Sequence, residues 1–106
     1  MPPSRRFTLK IRPEAELDVV DILQYTEETW GVLQRDKYAD KLVAALEKIA
    51  KTLSLGKRRD AIKPGYLSYH VGRHYIFYRV TEDTVEVIRL LYDGMQLEGH
   101  FPDEDS

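Results

Sequence analysis

Residues 66–92 read YLSYHVGRHYIFYRVTEDTVEVIRLLY, and this stretch decides the fold. Tyrosine, valine, isoleucine and phenylalanine crowd three runs, 66–71, 74–80 and 85–92, in which the side chains point alternately to two faces. Aromatic and β-branched side chains favour that pleated geometry. Val71-Gly72-Arg73 and residues 81–84 separate the runs by loops of hairpin length, so the three are expected to be consecutive antiparallel strands.

Upstream of this stretch the period changes. Pro64-Gly65 is a turn signal and residues 57–63 form a charged connector. Before the connector, Tyr38, Leu42, Ala45, Leu46, Ile49 and Leu53 recur at helical spacing, with Lys37, Asp40, Lys41, Glu47, Lys48 and Lys51 on the other side. Gly56 closes this helix. An earlier helix spans about residues 14–30, with Ala15, Val19, Ile22, Leu23, Thr26 and Trp30 on one stripe. Pro13 opens it, because a first-turn proline forfeits no helical hydrogen bond, and Glu14 and Glu16 complement the positive end of the helix dipole. Gly31 stops it. So short a connection makes an antiparallel helix hairpin, with Trp30 read as a core anchor that closes it. Phe7, Leu9 and Ile11 alternate with Thr8 and Lys10, which gives one short strand at the start.

The expected architecture is α+β, in the order β-α-α-β-β-β: an antiparallel sheet packed on one face by an α-helical hairpin. All 106 residues are expected to form one domain, since a chain of 12.4 kDa cannot build two cores. Beyond Asp93 a turn of helix is expected around Met95 and Leu97, and residues 102–106 are expected to fray.

Composition narrows the function classes. Hydrophobic residues at 42% and charged residues at 32% describe a globular chain. No apolar run approaches the roughly 20 residues of a membrane span, and Met1-Pro2-Pro3-Ser4-Arg5-Arg6 lacks the apolar core of a signal peptide, so a cytoplasmic protein without membrane association is expected. The absence of cysteine excludes disulfides, thiol nucleophiles and thiolate metal sites. The net charge of −2 is unevenly spread: residues 57–80 carry six basic side chains against Asp60, whereas residues 81–106 carry Arg89 against eight acids. Such a basic middle implies either an anionic partner or plain solvated surface.

The strands also promise more apolar surface than one helical layer hides. Ile76, Tyr78 and Val80 alternate with Tyr75, Phe77 and Arg79, and Val85, Val87 and Leu91 alternate with Ile88, Leu90 and Tyr92. Both faces are substantially apolar. The face away from the helices is therefore expected either to be capped by the C-terminal segment or to receive another polypeptide.

Over residues 7–101 the chain resembles the ParE branch of the RelE/ParE toxin superfamily. The resemblance rests on Pro13 and Ala15 leading into Asp18-Val19, Ile22, Tyr25-Thr26 and Trp30-Gly31; on Tyr38 and Leu42; on Pro64-Gly65, Gly72-Arg73-His74 and Ile76-Phe77-Tyr78-Arg79; and on Arg89-Leu90-Leu91 with Met95 and His100. It implies the toxin of a type II toxin–antitoxin (plasmid stabilisation) system that inhibits DNA gyrase by protein–protein binding. It further implies a hetero-oligomeric complex with a ParD-like antitoxin whose C-terminal segment folds on the toxin, with DNA contacted only through that antitoxin. No cofactor is implied. On this reading the antitoxin meets Tyr69, Tyr75, Phe77, Arg79, Ile88 and Leu90, and the target meets Met95, Leu97, His100 and Phe101. The chain departs from the usual ParE pattern at Leu91-Tyr92, Met95-Gln96 and His100-Phe101.

The alternatives are a RelE-like ribosome-dependent mRNA endoribonuclease and a non-toxic interaction module of the same fold. The nuclease needs a proton acceptor, a proton donor and cations for the phosphate, which His70, Arg73, His74 and Arg79 contain on paper. RelE-like nucleases, however, place basic residues at the end of the last strand, where this chain has Tyr92, Asp93, Gly94, Met95 and Gln96. No metal site is expected from three scattered histidines. His74 reads as a hairpin residue satisfied by a backbone bond, and the tyrosines at 66, 69, 75 and 78 as cross-strand packing. Arg89, a cation within an apolar strand, is expected to pair with an acid.

Overall fold

The computed structural model describes residues 8–97 and 99–101. Phe7 of the expected first strand and the expected fraying over 102–106 lie outside them. Strand β1 (Thr8–Ile11) leads through Arg12 into helix α1 (Pro13–Trp30), and Gly31 alone separates α1 from α2 (Val32–Lys51). A 3₁₀ turn (Leu53–Leu55) and a two-residue strand β2 (Lys57–Arg58) follow, then β3 (Leu67–Val71), β4 (His74–Thr81) and β5 (Thr84–Tyr92). Gly31, with φ 93° and ψ 171°, occupies backbone space that is close to glycine-only. Its N–H reaches the Glu27 carbonyl at 2.8 Å and its own carbonyl starts α2 by accepting from Arg35 at 3.0 Å. One residue thus ends one helix and begins the next.

The α+β layering expected from the sequence is present, with two differences in the sheet. It has five strands in the order β1-β5-β4-β3-β2, and it is mixed. β1 runs parallel to β5, with Leu9 opposite Val85 and Ile11 opposite Val87. The added strand β2 lies within the stretch read as a charged connector and pairs Lys57 with Ser68. A pair this short and charged makes a blunt edge. Among the described residues the turn of helix expected around Met95 and Leu97 is absent: residues 93–94 form a turn.

A β-bulge between β4 and β5 changes which side chains face the helices. Phe77 lies opposite Arg89 and Tyr78 opposite Val87, leaving Ile88 as the extra residue. The alternation shifts there by one, and Leu90 joins Val85 and Val87 on the helix side, apart from the Ile88 with which a regular strand would group it. The core is Ala15 and Ile22 of α1, Leu42, Ala45 and Ile49 of α2, and Ile76, Tyr78, Val85, Val87 and Leu90 of the sheet. Each fully buried aliphatic side chain contributes about 1.5–3 kcal/mol. The Tyr78 hydroxyl donates to the Leu53 carbonyl at 3.1 Å and accepts the Gly56 N–H at 2.9 Å, which ties the end of the helix hairpin to the sheet.

Candidate functional groove

α1 starts beside β5 because β1 hands the chain over there, the Arg12 N–H bonding the Val87 carbonyl at 3.1 Å. Past Val87 no strand of the described residues lies beside the outer edge of β5, and Asp18 takes the strand's place. Its carboxylate accepts the Leu90 N–H at 3.0 Å and both Nε and Nη2 of Arg89 at 2.7 and 2.8 Å. Arg89 also donates Nη1 to the His100 carbonyl at 2.7 Å. The acid partner expected for Arg89 is therefore Asp18, and its hydrogen bonds raise the guanidinium's pKa further. At the other end of β5, Glu86 accepts from Arg12 at 2.8 Å and Arg79 at 2.7 Å. Foremost the Arg12 hydrogen bond holds its carboxyl below the usual range against the opposing effect of burial, with that of Arg79 adding to the lowering.

From this anchored base the hairpin runs on past the core. The last buried residue of α1 is Thr26 and the first of α2 is Leu42; between Glu27 and Lys37 no side chain is buried. Trp30 is 71% exposed and Leu33 79%. The expectation that Trp30 anchors the core is thus overturned: the helical stripe continues beyond the layer that would cover it. Beneath this overhang lies a groove of about 870 Å³ between the hairpin, the β3–β4 turn and the end of β5. Tyr25, Trp30, Tyr92 and Met95 supply apolar lining, and Lys41 and Arg73 supply charge.

Tyr38 holds the turn against α2. Its hydroxyl accepts the Arg73 N–H at 3.1 Å and lies 2.6 Å from Nδ1 of His74 and 3.2 Å from the Val71 carbonyl. Gly72, at φ +58°, makes this approach possible, since a Cβ there would sit 2.5 Å from the tyrosine ring. Burial pushes His74 below its ordinary value, against the pull of Asp93 and Asp18, and pushes Tyr38 up. The backbone bond expected for His74 is replaced by this side-chain bond to Tyr38.

The four side chains of the nuclease alternative are not brought together. His74 faces α2. His70 projects to the opposite face, its ring 4.9 Å from that of Tyr75 and its Nε2 2.9 Å from Asp93. Arg79 sits five residues along β4 with Glu86, and only Arg73 joins His74 at the groove. Among the described residues no group of three or more His, Asp or Glu side chains is arranged to hold a metal, and no helix is long and apolar enough to cross a membrane.

The face away from the helices is covered by its own chain. Phe101 packs its ring 4.9 Å from Phe77 and 5.7 Å from Tyr66, and the Arg59 guanidinium stacks 5.0 Å from the centre of Tyr75 while its Nε donates to Ser68. Phe77 and Ile88 are 0% exposed. Of the six side chains assigned to antitoxin contact, Phe77, Ile88 and Leu90 are interior, Tyr69 packs toward the helices, and Tyr75 and Arg79 are half-buried. They do not form one accessible face, because the bulge splits Leu90 from Ile88 and Phe101 caps Phe77. Of the four assigned to the target, Met95 lines the groove, Leu97 is half-buried, and His100 and Phe101 are held against the sheet. The exposed tip was missed because periodicity marks an apolar stripe without saying where its covering layer stops.

Comparison with known proteins agrees with this arrangement. The family described as "ParE toxin of type II toxin-antitoxin system, parDE" matches residues 9–97. Toxin ParE1 of Mycobacterium tuberculosis (strain H37Rv) is 35% identical over 96 residues, covering 90% of this chain and 96% of the relative. Toxin ParE1 of Caulobacter vibrioides is 38% identical over 94 residues, covering 89% and 95%. The fold is similar to that in the chromosomal ParDE system from P. aeruginosa, with a TM-score of 0.72 at 17% identity over 82% of this chain and 96% of that one. It is also similar to a chain of the RelBE2 toxin–antitoxin complex from M. tuberculosis, with a TM-score of 0.59 at 20% identity over 87% and 97%. A family match over most of the chain, together with these relatives, shows that it belongs to the ParE toxins of type II toxin–antitoxin systems.

Proposed function

We propose that this ParE toxin inhibits DNA gyrase by binding it, without catalysis of its own, and that a ParD-like antitoxin encoded beside it neutralises it in a cytoplasmic hetero-oligomer. The observation that carries the non-catalytic reading is the dispersal of His70, Arg73, His74 and Arg79. A 2′-hydroxyl attack needs its acid, base and cations converging on one phosphate, whereas here one imidazole is bonded to Tyr38, the other to Asp93, and Arg79 to Glu86. The apolar tip supports the protein-binding half, since exposed bulky side chains at adjacent positions mark a docking surface. Met95, Leu97, His100 and Phe101 remain the proposed target contact, with Met95 the member that reaches the groove.

The test is induced expression in bacteria alongside a supercoiling assay with purified toxin. Filamentation with a DNA-damage response, and loss of gyrase supercoiling that returns when the antitoxin is added, is the expected result. Rapid translation arrest with cleaved messenger RNA and unimpaired supercoiling would overturn it.

A further inference from the structure

We propose that the groove recognises its polypeptide occupant through a carboxylate: an antitoxin helix lays bulky apolar side chains against Trp30 and Tyr25 and places an Asp or Glu against Lys41 or Arg73. This rests on the reading that an antitoxin holds the toxin, and adds the chemistry by which it does so.

The two cations line the same groove. Lys41 stands one helical turn after Tyr38, on the same side of α2, and the Tyr38 hydroxyl accepts the backbone N–H of Arg73. Both side chains are exposed; Arg73 Nη1 lies 3.5 Å from the Tyr92 hydroxyl, and neither Lys41 nor Arg73 belongs to an ion pair among the described residues. Other charges at the groove are already matched. Asp18 is occupied by Arg89, and Asp93, next to the Arg73 turn, is bonded to His70. Asp21, on α1, is the remaining acid of the lining. Two cations without a carboxylate partner beside a mostly apolar trough are complementary to an acidic, amphipathic helix and disfavour a basic one by like-charge repulsion, while the apolar lining suits side chains better than a phosphate backbone. Arg73 is also positioned well for the task. Its backbone is fixed by Tyr38 and by the Asp93 N–H donated to its carbonyl at 2.9 Å, so little chain entropy is lost when its guanidinium engages.

The experiment is calorimetric titration of the full-length toxin with the antitoxin encoded beside it, for the wild type, Arg73→Glu, Lys41→Glu and Trp30→Ser. Both charge reversals lie on exposed side chains, and an unchanged circular dichroism spectrum and melting temperature confirm folding. Each reversal is expected to weaken binding roughly tenfold or more, and changing one antitoxin carboxylate to Lys is expected to restore affinity for the Arg73→Glu toxin. Reversals that leave Kd within about twofold, while Trp30→Ser weakens it, would overturn carboxylate recognition and leave the apolar contact standing. Loss of gyrase inhibition with unchanged antitoxin affinity would overturn it too, by giving the groove to the target. If the wild-type toxin does not bind the antitoxin at all, the proposed function itself fails.

Discussion

The helix hairpin has two halves that its sequence hardly distinguishes and its surroundings distinguish completely. From Pro13 to Thr26 and from Leu42 to Lys51, the apolar stripe meets the sheet and is buried in part or whole; from Glu27 to Lys37 the same periodicity meets water. The lesson is that an apolar residue at helical spacing is a core residue only where a second layer reaches it. Where the layer ends, the stripe becomes a surface held ready by the buried half.

The contrast can be broken first by truncating each half. Ile76→Ala, at a fully buried site beneath the anchored half, is expected to cost about 2–5 kcal/mol in denaturant unfolding, whereas Leu33→Ala at the tip should change stability by no more than about 0.5 kcal/mol. Equal costs would mean that the tip packs in solution. A smaller loss tests how the anchored half is held. Asp18→Ala removes the acceptor of Leu90 N–H and leaves Arg89 without its carboxylate, for an expected loss of about 2–4 kcal/mol. A loss below about 0.5 kcal/mol would show that the β5 edge needs no helix beside it.

Much of this architecture is legible in the sequence, and the parts that are not share a cause. Both helices, the single-glycine connection and strands β3 to β5 follow from local period and turn chemistry. The acid partner of Arg89 follows from the expense of leaving a cation unpaired in an apolar strand. The parallel pairing of β1 with β5 involves opposite ends of the chain, so no local pattern encodes it. The bulge at Ile88 moves Leu90 to the other face by adding one residue, which no alternation of side chains announces. The same holds for the groove. Tyr38 lies on α2 and Gly72, Arg73 and His74 at the β3–β4 hairpin, and only the tertiary fold joins them. Phe101, expected at a target, packs on Phe77, a contact between residues far apart in sequence that no local pattern announces.

The least of the expected effects is electrostatic. Because the folded-state pKa of Glu86 is lowered, its contribution is complete above the unfolded value of about 4.3 and is lost as pH falls below that value through the folded one. Wild type should therefore exceed Glu86→Gln in stability at pH 7 and lose that advantage as the medium is acidified from about pH 5 downward. A difference that stays constant over this range would show that Glu86 titrates alike in the folded and unfolded chains.

Trp30 is the only tryptophan in the chain, so its fluorescence reports on the tip alone. In the free toxin the emission should be that of a water-exposed indole, open to quenching by iodide; addition of the antitoxin should shift it to the blue and shield it. A blue-shifted, protected indole in the free monomer, or an emission unchanged in a saturated complex, would contradict the account.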